Sequence, residues 1–86
     1  MEGLLIHIII VNYNSSDDTV ECLESIYNSN FQDFRIYVVD NNSDLVHKAG
    51  LEKWIGNLVS SSVISEKDLK NSLPEEKTNL IKLDKN

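Results

Sequence analysis

The sequence predicts an α/β fold in which three short parallel strands alternate with two helices, in the order β-α-β-α-β. Three observations carry this. Leu4 to Val11 is a continuous run of mostly branched apolar residues, the pattern of a strand whose sheet is covered on both faces. Apolar residues at helical spacing follow at Val20, Leu23, Ile26 and Tyr27. A second β-rich stretch, Ile36 to Val39, arrives within about thirty-five residues of the first. Strand, helix and strand in so short a span form a right-handed βαβ unit.

The first strand is expected over 4–11, where burial of Ile6, Ile8, Ile9 and Ile10 would contribute roughly 1.5–3 kcal/mol each. His7, in mid-strand, is expected to point to one sheet face or a neighbouring helix. Asn12–Asp18 reads as a polar turn with helix-start chemistry. Ser15 or Ser16 can cap, Asp17 and Asp18 suit the positive end of the helix dipole, and Ser15-x-x-Asp18 is similar to a capping box. The helix is expected over 17–28, ending in Asn28-Ser29-Asn30, where asparagine tolerates left-handed geometry.

Phe31–Phe34 connects to a second strand over 35–39, which ends in Asp40-Asn41-Asn42-Ser43-Asp44. Ser43 or Asp44 can cap a second helix over 45–59, with Val46, Ala49, Trp54, Ile55, Leu58 and Val59 as its buried stripe. Gly50 and Gly56 weaken its propensity. Residues 60–77 are serine- and charge-rich and read as irregular, or as a short helix from Ser65 to Ser72 broken at Leu73-Pro74. A third strand is expected over 79–83. The two functional strand ends then lie on one edge of the sheet, where open α/β sheets bind ligands.

Composition narrows the function classes. Eighty-six residues make a single, small domain, of a size whose stability margin is thin. The net charge is −6 and the eight basic residues are scattered among acids, which excludes a phosphate-neutralising surface for nucleic acid. One cysteine, Cys22, rules out an internal disulfide and fits a reducing compartment. It reads as a half-buried helix residue. No positively charged leader precedes the apolar run, and Leu4–Val11 is too short to span a bilayer. A cytoplasmic location is expected, with the inner face of the membrane open to a larger parent protein.

The familiar phosphate and hydrolase motifs are missing: no G-x-G-x-x-G, no G-x-x-x-x-G-K-[ST], no H-E-x-x-H and no G-x-S-x-G occurs. What remains is a pair of strand-end turns, Val11-Asn12-Tyr13-Asn14-Ser15 and Val39-Asp40-Asn41-Asn42-Ser43. Such residues are also what turns are made of. Their combination suits a nucleoside. Tyr13 offers a face on which a base can stack, at roughly 0.5–1.5 kcal/mol beyond its area. A side-chain oxygen of Asp40 or Asn41 can accept the imino proton of uracil or thymine, or hold a ribose hydroxyl.

The string IIIVNYNSSDDTVECLESI, followed by DFRIYVVDNNS, resembles the opening of family 2 glycosyltransferases, inverting enzymes with the glycosyltransferase A-type fold. The VVDNNS form is similar to the rhamnosyltransferase-like branch, and NLIKLDKN resembles loosely the segment around the family's third strand. The resemblance implies the N-terminal, Rossmann-like part of that fold. By position it places Val11, Asn12, Tyr13 and Asn14 in the first nucleotide-binding turn, with Asp40, Asn41 and Ser43 in the second. Asn41 stands where many relatives carry an aspartate, and an uncharged amide oxygen makes a weaker hydrogen bond. The implied donor is a UDP- or dTDP-linked sugar, and the implied acceptor a hydroxyl such as that of a cell-surface glycan. The family's divalent metal, Mg or Mn, is held by a D-x-D-type motif on a later strand, with the acidic catalytic base further on. Neither has a counterpart here, and Asp17-Asp18 and Glu75-Glu76 are no substitutes. This segment is therefore expected to hold the nucleoside without catalytic residues.

Two further readings stand beside this one. A non-catalytic α/β association module accommodates the missing metal and base. A flavodoxin- or receiver-like domain fits less well, since a receiver needs an acidic pair where this chain has Asn12-Tyr13-Asn14. With three strands in the order 3-2-1, the first lies at an edge and exposes an apolar ladder, so self-association through strand 4–11 is expected.

Overall fold

The computed structural model of the chain describes residues 5–70 and 72–84. Its elements are β1 (Ile6–Asn12), α1 (Ser16–Tyr27), β2 (Phe34–Asp40), α2 (Leu45–Gly56), β3 (Ser61–Ser65), a single 3-10 turn (Glu66–Asp68) and β4 (Thr78–Lys82). Leu4, the expected start of the first strand, lies outside the described residues.

All four strands run parallel, in the spatial order β1-β2-β4-β3. The architecture is the α/β, Rossmann-like one, but the sheet has four strands rather than the expected three. The additional strand is β3, inside the segment 60–77 that reads as irregular or helical. Three of its five residues are serine, which hides the apolar alternation by which strands are recognised. It forms because it adds to the free side of β4, pairing Val63 with Leu80 and Ile64 with Ile81. The helix expected from Ser65 shrinks to the one 3-10 turn.

Connection handedness explains the layering. The steps from β1 to β2 and from β2 to β3 move the same way across the sheet, so right-handed crossovers place α1 and α2 on one face. There Leu23 of α1 and Leu51 and Ile55 of α2 meet Phe34, Ile36 and Val38 of β2 and Leu80 of β4, all buried. Ile8, Ile10, Val20, Ile26, Tyr27 and Trp54 pack around them. The step from β3 back to β4 reverses direction, and its connection crosses the opposite face, where Leu73 lines a cavity with Ile9, Tyr37, Val39 and Ile81.

That opposite face is covered unevenly. Val11, Val39, Ile81 and Ile64 stand in one row across the four strands. Ile81 is 5% exposed, whereas Val11 and Ile9 are each 69% exposed. The continuous apolar run of β1 suggests cover on both sides; among the described residues only its Ile8, Ile10 and Asn12 side is sheltered. His7 lies on the sparsely covered face with its ring edge-on to Tyr37, 6.0 Å between centroids.

The buried stripe of α2 also differs from expectation. Leu51 and Ile55, one turn apart, are its buried residues, with Trp54 and Leu58 half-buried. Val46, Ala49 and Val59 are exposed; the helix ends at Gly56, before Val59 can turn inward. Cys22 points to solvent. Lys82 of β4 and Glu52 of α2 form an ion pair at the surface.

Leu51 is wholly buried between helix and sheet. Leu51→Ala is expected to cost about 2–5 kcal/mol, a large share of what so small a domain has. Val59→Ser, at a fully exposed site, should stay within about 0.5 kcal/mol. Urea unfolding of both variants checks the pair.

Candidate functional site at the ends of the first two strands

β1 and β2 pair residue by residue from Ile6–Phe34 to Asn12–Asp40. That last rung is closed by the Asn41 N–H, which donates to the Asn12 carbonyl at 2.8 Å. Asn14 and Asn42, each two residues beyond it, are both left-handed, with φ of 50° and 55°, a region that asparagine enters more readily than other side-chain-bearing residues. Asn12-Tyr13-Asn14-Ser15 and Asp40-Asn41-Asn42-Ser43 are thus one turn built twice, side by side.

A buried hydrogen-bond network joins them. Asn12 Nδ2 donates to Asp40 Oδ1 at 2.8 Å and to Ser43 Oγ at 3.2 Å. Ser43 Oγ donates to Asp40 Oδ1 and accepts from the Asn14 N–H at 2.8 Å. The Ser43 N–H reaches Asp40 Oδ2 at 3.1 Å. Asn12 Oδ1 accepts from Thr19 Oγ1 of α1 at 2.6 Å. The Ser43 hydroxyl, with one donor and two acceptor positions, is fully used.

The helix starts are held in the same region, though not by the caps expected. Ser15 Oγ turns back to the Tyr13 carbonyl at 2.7 Å, and neither Ser15 nor Asp44 caps its helix through its side chain. Instead His47 Nδ1 of α2 accepts from the Ser16 N–H at 3.3 Å and lies 2.9 Å from Ser16 Oγ. In return Asn14 Oδ1 accepts from the Asp44 N–H at 2.7 Å. Each helix start is satisfied by a side chain from the other half of the unit.

The predicted residues consequently divide. Asn12, Asp40 and Ser43 are buried, Asp40 at 1% exposure, and spend their polar groups on one another. Val11 lies on the sparsely covered sheet face, turned away from the network. Asn14 is half-buried and engaged with Asp44. Tyr13 is 50% exposed. Asn41 is half-buried, and its amide side chain makes no hydrogen bond among the described residues. Sequence reasoning missed three members. Thr19 carried no signal beyond standing in the first turns of a helix, His47 belongs to a different helix from the one it caps, and Lys48 donates to Asn42 Oδ1 at 2.7 Å.

The two turns form a lip at the sheet edge, with Tyr13 half exposed. A larger cavity of about 360 Å³ lies between α1 and α2, lined by Asp17, Val20, Glu21, Glu24 and Trp54 among others; none of the predicted site residues lines it. Among the described residues no three His, Cys, Asp or Glu side chains converge as metal ligands, and the Asp40 carboxylate is already committed. These described residues do not fit a divalent ion.

A family model for Glycosyl transferase family 2 matches residues 7–60, more than half of the chain. The chain belongs to glycosyl transferase family 2. The match runs from β1 through both turns to just beyond α2, so the whole buried network falls within it. The added strand β3 and β4 lie outside it. Comparisons with curated proteins and with solved structures found no match. Among the described residues no helix of this glycosyl transferase family 2 chain is long and apolar enough to cross a membrane.

Because the network holds the turns while Asn41 makes no side-chain hydrogen bond among the described residues, the two positions respond differently to truncation. Ser43→Ala strands the Asn14 N–H and an Asn12 donor, and should cost about 1–3 kcal/mol. Asn41→Ala should fall within about 0.5 kcal/mol of the parent. Denaturant midpoints of the two variants, compared at equal slope, decide this.

Proposed function

We propose that this chain is the nucleotide-holding segment of an inverting, rhamnosyltransferase-like glycosyltransferase that uses a UDP- or dTDP-linked donor and a cell-surface glycan acceptor. The observation that carries this reading is the division of labour at the two turns. Buried Asn12, Asp40, Ser43 and Thr19 fix the backbone, while the Tyr13 ring is exposed and the Asn41 amide makes no hydrogen bond among the described residues. A ring to stack on and an amide to pair with are what a nucleobase needs.

In this reading Tyr13 orients the base by its face and Asn41 by its edge. Transfer itself asks for a base on the acceptor hydroxyl and a divalent ion at the leaving diphosphate. No group of the described residues supplies either. These 86 residues bind the nucleotide and leave the sugar in place.

Titration of the isotope-labelled chain with UDP, dTDP and ADP tests the assignment. UDP and dTDP should shift the amide signals of Tyr13 and Asn41 selectively. Tyr13→Ala should weaken binding by about two- to tenfold, the equivalent of one lost stacking contact. Shifts scattered over the surface, or none near Tyr13, would count against the reading. Incubation with a UDP-sugar should release no sugar.

A second reading, association, is favoured by one observation. β1 is an edge strand of seven residues without a charge, a proline or a bulge, the devices that normally keep edges from pairing. Antiparallel pairing with a second copy about Ile9 would set Ile9 against Ile9 and His7 against Val11, with no like charges opposed despite the net charge of −6. Sedimentation should then show a concentration-dependent dimer that Ile9→Lys abolishes. A monomer at high concentration removes this reading.

A further inference from the structure

The cavity of about 360 Å³ between α1 and α2 has two kinds of wall. Asp17, Glu21 and Glu24 follow one another along α1 at spacings of four and three residues, which puts their carboxylates on one stripe of the helix. Val20 of the same helix and Trp54 of α2 supply the apolar wall. Gly50, one turn before Trp54, also lines the cavity. A Cβ there would meet only Ser16 Oγ, at 3.8 Å, so tight packing does not demand glycine. Its presence leaves the space unfilled, at a cost in helix propensity.

The polar groups of this groove are not used by the chain itself. Among the described residues the side chains of Asp17, Glu21 and Glu24 enter no hydrogen bond or ion pair, and the Trp54 indole N–H has no acceptor. No basic residue lines the groove. Lys82 is paired with Glu52, and Lys48 is engaged with Asn42.

Carboxylates on one wall and an indole on the other define the occupant. It carries positive charge, and it has a flat part to lie on Trp54. A guanidinium meets both demands, since it forks to carboxylates and stacks on aromatic faces, whereas an ammonium is a strongly hydrated point charge. The volume lies at the small end of the roughly 300–1,000 Å³ that ligand clefts span, a space for one long side chain. We propose that the groove between α1 and α2 docks an arginine-bearing segment of a partner protein, the arginine entering between the α1 carboxylates and Trp54. Charge complementarity selects this occupant, because a net charge of −6 draws basic partners and disfavours a second copy of the chain. The proposal is independent of the nucleotide reading, since none of the lip residues lines the groove.

Trp54 is the chain's one tryptophan, so its emission reports on the groove directly. The whole chain is titrated with an end-blocked Arg-Leu-Arg peptide and with its lysine and glutamate counterparts. The arginine peptide should change Trp54 emission saturably and shift the amide signals of Val20 and Glu21. It should bind about threefold more tightly than the lysine peptide, and the glutamate peptide should do neither. Glu21→Gln should weaken binding by about two- to fivefold, the equivalent of one exposed ion pair. Gly50→Leu fills the groove with a better helix former, and should abolish saturation while keeping the parent's far-ultraviolet spectrum. The proposal is overturned if the arginine peptide leaves Trp54 unchanged or binds no better than either counterpart. It is equally overturned if Glu21→Gln or Gly50→Leu binds that peptide as tightly as the parent.

Discussion

The structure depends on the way the ends of β1 and β2 are tied together. Asn12 and Asp40 face each other in the last rung of a parallel ladder, and their side chains meet in the interior rather than in solvent. Burying a carboxylate is unfavourable unless its oxygens are hydrogen-bonded. Here that demand recruits Ser43 from the following turn, and Ser43 in turn accepts the Asn14 amide. Thr19 carries the network into α1. A single buried acid thereby dictates the conformation of both turns, and the left-handed asparagines follow from it. The residues that look most like ligands by type are buried framework, while Tyr13 beside them in the chain is exposed.

Sheet topology adds a second constraint. Two crossovers in one direction put both helices on one face, and the later reversal leaves the other face to a connection that contributes Leu73. Cover on that side is good over β4 and thin over β1. The same chirality thus accounts for the dense core beneath Leu23, Leu51 and Ile55 and for the exposure of Ile9 and Val11. Membership of glycosyl transferase family 2 is carried by the first two strands, the two turns and both helices.

The parts legible in the sequence are those where local pattern and tertiary environment agree. The isoleucine run of β1, the α1 stripe and the β-rich Ile36–Val39 announce themselves because each buries what it displays. The pairing of the two strand-end turns could likewise be read from VNYNS and VDNNS. Ser61–Ser65 could not, since its strand state comes from the free side of β4 and not from its own composition. Nor could the uneven cover of β1: an apolar run records which residues avoid water, not which neighbours are at hand. Asp40 and Asn41 are adjacent polar residues with equal claims on paper. Asp40, the last residue of β2, is turned inward with both oxygens hydrogen-bonded, whereas Asn41 after it is half-buried, a difference that only the structure supplies. The helix caps escaped for a related reason, since His47 serves a helix to which it does not belong.

The doubled turn has a consequence for the order of assembly. Every partner in the network lies between Asn12 and Ser43, inside one βαβ unit, while β3 and β4 come later in the chain. On a ribosome, the residues that shape the lip emerge together, and their mutual hydrogen bonds ask nothing of the C-terminal strands. Loop closure over this span grows only slowly with length, so the pairing of the first two strands is within early reach. The residues of the lip are all made before β3 and β4.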